Sequence, residues 1–116
     1  MNRALVAAGA INGAIAVAAG AFAAHALKAR LDARALEVFE TGARYQMYHA
    51  LAIVLCGLLM QPRAGWIFQV GIVLFSGSLY VLALSGVKGL GAVTPFGGVA
   101  FLVGWGWLAY SALTSR

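Results

Sequence analysis

The polar residues of this chain are concentrated in residues 37–49, which read EVFETGARYQMYH. This segment combines two carboxylates, a guanidinium, a side-chain amide, two phenols and an imidazole. Such groups could pair charges, bind a polar solute or, through His49, carry a proton. A second histidine, His25, precedes the segment, and the two imidazoles could together ligate a metal or haem. Any function based on polar chemistry is therefore expected to use this segment.

The motifs of common catalytic sites are absent from the sequence. It contains no HExxH, no histidine-carboxylate spacing and no nucleophile beside a base. The single cysteine, Cys56, excludes an intrachain disulfide and a cysteine-based zinc cage, and its apolar surroundings predict a buried thiol. The glycine-rich residues 86–91, GVKGLG, lack the Gly-Lys-Ser/Thr of a phosphate loop. We therefore predict that the protein is not an enzyme and holds no metal or cofactor.

The composition is that of a membrane protein. Of 116 residues, 63% are hydrophobic and only 9% are charged, whereas soluble domains have about 25% charged residues. At about 20 residues per crossing, the length allows four membrane helices. The net charge of +5 comes from scattered basic residues, which suits lipid headgroups and not a nucleic-acid groove. We predict a single all-α membrane domain, multi-pass in the cell inner membrane, with membrane lipids as partners.

The first predicted span covers residues 4–27 and contains no charge. A cleaved signal peptide is the alternative, although the apolar run is longer than a typical h-region. Asn12 is expected to face the bundle and find a hydrogen-bond partner, because an unpartnered amide in lipid costs free energy. Gly9 and Gly13, at four-residue spacing, predict a smooth face for close helix packing. His25 is expected at interface depth.

Residues 28–41, KARLDARALEVFET, form an amphipathic pattern with helical spacing. This segment is too polar to cross, so we predict an interfacial helix between spans 1 and 2. The second span is predicted over residues 42–60, and it must include the polar residues 45–49 to reach a full crossing. Arg44 at this depth would be costly alone, so we expect it to pair with Glu37 or Glu40.

Two further spans complete the predicted four-helix bundle, over residues 64–85 and 93–113. In the third, Gln69, Ser76 and Ser78 give a polar face, and the serines bond either to their own backbone or to a neighbouring helix. Thr94 and Pro95 are typical of a helix start. The aromatic residues near the span ends are expected at the membrane interfaces, as anchors. These are Tyr45, Tyr48, Trp66, Tyr80, Trp105, Trp107 and Tyr110.

The polar side chains of these elements define a candidate cluster, whose members we expect a function to use. The candidate polar cluster comprises Asn12, His25, Glu37, Glu40, Arg44, Tyr45, Gln46, Tyr48, His49, Gln69, Ser76 and Ser78.

Four motifs in order cover nearly the whole chain: GAFAAHAL, FETGARYQMYHALA, LFSGSLYVLAL and TPFGGVAFLVGW. Together they resemble the small YgdD-like inner-membrane family, a domain of unknown function (DUF423) with bacterial and eukaryotic members. The resemblance implies a four-helix integral membrane protein. It implies no activity, cofactor or catalytic residue that could be carried over.

Several functions remain open at this point. The first hypothesis is a structural or interaction protein that packs with itself or with a membrane partner through its glycine and alanine faces. The second is an oligomeric transport or permeation component, with a polar path around Arg44, Gln46 and His49. Ligation of a metal or haem by the two histidines is the third. Lipid binding at a cleft beside the amphipathic helix is the fourth.

Overall fold

The computed structural model describes residues 1–115, and these form four α-helices joined by short connections. This confirms the all-α prediction. The helices are α1 (Arg3–Ala24), α2 (Ala33–Leu58), α3 (Pro62–Ser85) and α4 (Thr94–Thr114), with short 3-10 turns at Leu27–Ala29 and Lys88–Ala92.

Local sequence signals explain where these helices begin and end. The side chains of Asn2 and Asp32 cap α1 and α2 by accepting backbone hydrogen bonds. Pro62 opens α3, and Pro95 lies in the first turn of α4, as predicted. Gly86 ends α3 in the left-handed conformation at φ 72°, which a residue without Cβ adopts readily.

The prediction of a separate interfacial helix before the second span is wrong. Residues 28–32 form a 3-10 turn and its exit, and the amphipathic and apolar segments merge into the single helix α2. A break near Gly42 would have left the backbone groups of two new helix ends without partners. At 26 residues α2 is about 39 Å long, so its first turns extend beyond a hydrocarbon layer of about 30 Å.

Three helical segments are long and apolar enough to cross a membrane: Arg3–Ala29, Pro62–Ser85 and Lys88–Thr114, with mean hydropathies of 1.9, 2.1 and 1.4. The helix α2 is not among them, because Gln46, His49 and the charged residues of its first half lower its mean hydropathy. Gln46 and His49 are nevertheless buried. The Gln46 amide and the His49 imidazole therefore face the other helices.

The helices pack in chain order, α1 on α2, α2 on α3 and α3 on α4. The resulting body measures 52 × 26 × 17 Å, which is a flattened row of helices and not a closed square bundle. The main core joins all four helices, and Cys56 lies in it, buried as predicted. Its buried residues are Leu5, Ala52, Ile53, Cys56, Ala64, Phe68, Ile72 and Phe101.

Glycines allow the closest helix contacts. Gly97 of α4 lies against the backbone of Phe75 in α3, and a methyl group there would collide with the Phe75 nitrogen. Of the predicted glycine face on α1, Gly9 packs against Val54 of α2, whereas Gly13 has open space around it. The glycine spacing on α1 is therefore used only partly within the chain.

We expect Gly97→Ala to destabilise the protein by about 1–3 kcal/mol, because α4 must move away from the rigid backbone of α3. Gly98→Ala is the matched control, since a methyl group there would lie 4.0 Å from Phe75 Cδ2, an ordinary contact. Reversible unfolding in mixed detergent micelles measures both variants. Equal stability of the two variants would contradict the close packing of α3 and α4.

Candidate functional site

A chain of hydrogen bonds joins four polar side chains from three helices. The Tyr80 hydroxyl donates to Gln46 Oε1 at 2.7 Å, and Gln46 Nε2 donates to Asn12 Oδ1 at 3.0 Å. Asn12 Nδ2 then donates to Gln69 Oε1 at 2.6 Å. We call these four residues the amide network. It links α1, α2 and α3 near the middle of the bundle, and Asn12 has the partner predicted from the sequence.

Every buried polar atom of the amide network has a hydrogen-bond partner within the protein. Both side-chain polar atoms of Gln46 are used, and Asn12 Nδ2 makes an additional bond to the Ala8 carbonyl at 2.8 Å. Among residues 1–115, no buried side-chain nitrogen or oxygen lacks a hydrogen-bond partner. A bound solute would have to displace these internal bonds. The network therefore acts as a brace between helices.

His49 lies on a different side of α2, facing α4. Its Nδ1 is 2.7 Å from the Tyr45 carbonyl oxygen, and its Nε2 is 3.1 Å from the indole nitrogen of Trp105. Because an indole N–H can only donate, Nε2 must accept and Nδ1 must carry the hydrogen. The imidazole also stacks on Phe101, with ring centroids 3.6 Å apart and planes within 5°. His49 is thus held as the neutral Nδ1–H tautomer.

An open groove of about 460 Å³ runs over His49 between α2 and α4. We call it the aromatic groove, because five of its lining residues besides His49 are Phe, Tyr or Trp. The rings of four of them pack on one another, and the Trp105 ring packs on His49. Its lining consists of Tyr45, Tyr48, His49, Phe75, Gly98, Phe101, Leu102 and Trp105.

The two serines of the predicted polar face make interhelical contacts. Ser76 Oγ donates to the Gly42 carbonyl of α2 at 2.7 Å. Ser78 Oγ bonds to its own helix at the Phe75 carbonyl and also lies 2.6 Å from Thr94 Oγ1 of α4. Ser76 therefore bonds to a neighbouring helix, whereas Ser78 bonds both to its own backbone and to a neighbouring helix.

The predicted ion pair of Arg44 with Glu37 or Glu40 is not formed. The exposed Arg44 guanidinium instead donates to Thr41 Oγ1 at 3.2 Å, one turn earlier on α2. Since α2 is continuous, Arg44 lies on its outer surface, and its long side chain can reach toward the membrane boundary without an acidic partner.

The two histidines lie at different depths, which contradicts their joint ligation of a metal or haem. His25 is exposed just past the end of α1, beside Leu27, which packs on Phe39. His49 lies ten residues beyond Phe39 on α2, about 15 Å along the axis. Within residues 1–115, no group of three or more His, Cys, Asp or Glu could hold a metal ion.

Two residues of the site, Trp105 and Tyr80, lie elsewhere than predicted. Trp105 was expected in an interfacial belt, and Tyr80 near the other membrane boundary. Trp105 instead sits at the middle of α4 and bonds to His49, while the Tyr80 hydroxyl reaches inward to Gln46. The position of Thr94 as the start of α4 was a usable signal, because Trp105 lies eleven residues after it, at the middle of the helix.

The sequence matches the profile of a family described as "Protein of unknown function (DUF423)" over residues 19–98. It is 47% identical over 105 residues to the UPF0382 membrane protein YwdK of Bacillus subtilis, which covers 84% of this chain and 85% of the relative. It is also 47% identical over 103 residues to the UPF0382 membrane protein SSP2132 of Staphylococcus saprophyticus, with 84% and 86% covered. No solved structure matches the chain.

We expect Gln46→Leu to lower the free energy of unfolding by about 1–3 kcal/mol, because it leaves both Asn12 Oδ1 and the Tyr80 hydroxyl without partners. Gln69→Leu is the matched comparison and should cost about half as much, since Asn12 Nδ2 keeps its bond to the Ala8 carbonyl. Unfolding in mixed micelles measures both. A larger loss for Gln69→Leu would contradict the central position of Gln46.

We also expect 15N NMR of imidazole-labelled protein to find His49 as the Nδ1–H tautomer. Trp105→Phe removes the donor to Nε2 and should shift the Nε2 resonance. Trp107→Phe, which changes an indole facing Arg63, should leave that resonance in place. An Nε2–H tautomer in the unmodified protein would contradict the assigned hydrogen bonds.

Proposed function

This chain belongs to the DUF423 family, and from that premise we propose that it is a multi-pass inner-membrane protein that associates with a second copy of itself through the aromatic groove. The family has no assigned activity, so the relatives support only a small membrane protein of unknown function. Its construction from helices supports the inner or plasma membrane, because outer-membrane spans are built as barrels.

The proposal includes α2 as a fourth crossing. Its polar residues Gln46 and His49 are buried and hydrogen-bonded, so its outer surface beyond Tyr48 consists of leucines. Counting about 20 residues back from Leu58, a crossing would begin near Phe39. The earlier turns of α2, with most of its charges, would then lie outside the hydrocarbon layer.

One observation carries the proposal: two tyrosines are exposed close to the middle of this crossing. Tyr48 is 53% exposed and Tyr45 is 39% exposed, and both line the aromatic groove. Tyrosines facing lipid are normally found at the membrane interfaces, where the hydroxyl meets water. Within residues 1–115, neither hydroxyl has a hydrogen-bond partner. Lipid tails offer none, whereas a second protein surface does.

A second copy suits this surface particularly well. A hydroxyl both donates and accepts, so the same tyrosine on two copies can satisfy itself across a two-fold axis. Gly98, in the wall of the groove, has no side chain beyond its Cα and allows a neighbouring helix to approach closely. The groove lies over α3 at the open side of the helix row, so its occupant would be a helix from outside the chain.

The transport alternative receives less support from the same residues. Arg44 is exposed on the outer surface of α2, Gln46 is buried toward α1 and α3, and His49 faces α4. These three side chains point in different directions and do not line one path. A permeation route would require other residues or an assembly of several copies.

The test is photo-crosslinking in native membranes with benzoylphenylalanine in place of Leu102, which lines the groove and is 73% exposed. A product of twice the chain mass is expected. The matched control replaces Ile11, which is 61% exposed near the middle of α1 and should give lipid adducts only. Adding Tyr48→Phe should lower the yield of the dimer about three- to tenfold, through the lost hydroxyl bond.

Other outcomes would overturn the proposal. A Leu102 product with the mass of a different protein would assign the groove to another partner. Equal dimer yields from Leu102 and Ile11 would indicate random encounters. An unchanged dimer yield with Tyr48→Phe would show that the Tyr48 hydroxyl makes no bond across the interface.

A further inference from the structure

We propose that a cleft around Arg63, at the end of the molecule that holds the amino terminus, binds the phosphate headgroup of an anionic phospholipid. The Arg63 cleft has a volume of about 380 Å³ and lies between the start of α3 and the last turns of α4. It is lined by Pro62, Arg63, Trp66, Ile67 and Trp107.

The acidic residues of the molecule are confined to one end, whereas basic residues occur at both ends. The amino terminus is tied to the end of α2, because the Asn2 N–H donates to the Gly57 carbonyl at 2.8 Å. The amino group, Arg3 and Arg63 therefore share one end. All three acidic residues, Asp32, Glu37 and Glu40, lie in or beside the first turns of α2 at the opposite end. Within residues 1–115, the Arg63 end has no acidic side chain to neutralise its cations.

The shape of the Arg63 cleft matches the boundary region of a phospholipid. Its floor is formed by apolar and aromatic side chains, and the exposed guanidinium of Arg63 stands at its mouth. Trp66 and Trp107 lie near helix ends, at the level where indoles favour the headgroup region. An acyl chain would lie along the floor, with its phosphate beside the cation.

Arg63 is oriented for this contact by Trp107, because its Cζ lies 5.6 Å from the centre of the indole ring. Stacking on an aromatic face leaves the edge N–H groups of a guanidinium available, and their fork geometry suits two phosphate oxygens. Within residues 1–115, the indole N–H groups of Trp66 and Trp107 have no partner. They can donate to further oxygens of the same headgroup.

The cleft at the opposite end is less suited to an anion. It has a volume of about 490 Å³ and includes Arg34 and Lys88, but Asp32 stands in its wall. The Asp32 carboxylate would repel a phosphate there. This cleft lies beside the start of α2, where lipid binding was one of the hypotheses from the sequence. Because its lining mixes an acid with two cations, we place the phosphate in the Arg63 cleft.

Native mass spectrometry of the full-length protein with added phosphatidylglycerol or phosphatidylcholine tests the proposal. We expect preferential retention of phosphatidylglycerol, and Arg63→Gln should reduce that retention about fivefold. Lys88→Gln is the matched control, because it removes the same charge at the opposite end and should retain phosphatidylglycerol as the unmodified protein does. Circular dichroism verifies that both variants remain helical.

Three results would overturn the proposal. Equal retention of phosphatidylglycerol and phosphatidylcholine would indicate that Arg63 and its neighbouring tryptophans only anchor the protein at the membrane interface. Equal losses for Arg63→Gln and Lys88→Gln would indicate general attraction to the net positive charge. Displacement of phosphatidylglycerol by millimolar inorganic phosphate, with the same dependence on Arg63, would make the cleft a site for the free anion.

Discussion

Gln46 accepts a hydrogen bond from Tyr80 and donates one to Asn12, and the arrangement of α1, α2 and α3 depends on this pair of bonds. A membrane interior offers no water to a buried amide, so each polar atom must find a partner within the protein. One side chain on the middle helix therefore determines which faces of its two neighbours turn inward. The rotation of α1 and α3 about their axes follows from it.

Glycines provide the second kind of interhelical contact, which is close packing of one helix on another. Lipid tails are as apolar as leucine, so helices in a membrane gain stability mainly from close packing and hydrogen bonds. Gly97 allows α4 to lie against the backbone of α3, and Ser78 bonds to Thr94 across the same pair of helices. The outer helix α4 is thus held by small residues and two polar contacts, the second being the bond from Trp105 to His49 of α2. The open row leaves the groove between α2 and α4 uncovered.

The sequence predicted the features that depend on local composition. The all-α class, the partner of Asn12 and the burial of Cys56 all follow from hydropathy and the cost of a lone polar group. Of the four predicted spans, three correspond to helices long and apolar enough to cross a membrane. The continuity of α2 was not predictable from its change in polarity, because a helix can pass through a boundary without breaking. For the same reason, Arg44 was given an acidic partner that a long, exposed side chain does not need.

The positions of aromatic residues were harder to predict, because an aromatic residue in a membrane helix serves either as an interface anchor or as a partner inside the bundle. Trp105 donates to His49 at mid-span, whereas Trp107, two residues later, stacks under Arg63 near the helix end. Helical geometry separates neighbouring side chains by about 100°, so adjacent aromatics face different surroundings. Among the described residues, every buried side-chain nitrogen and oxygen has a hydrogen-bond partner, whereas the Tyr48 hydroxyl in the groove and the Arg63 guanidinium belong to exposed side chains. Both proposals therefore place their contacts with other molecules at these exposed groups.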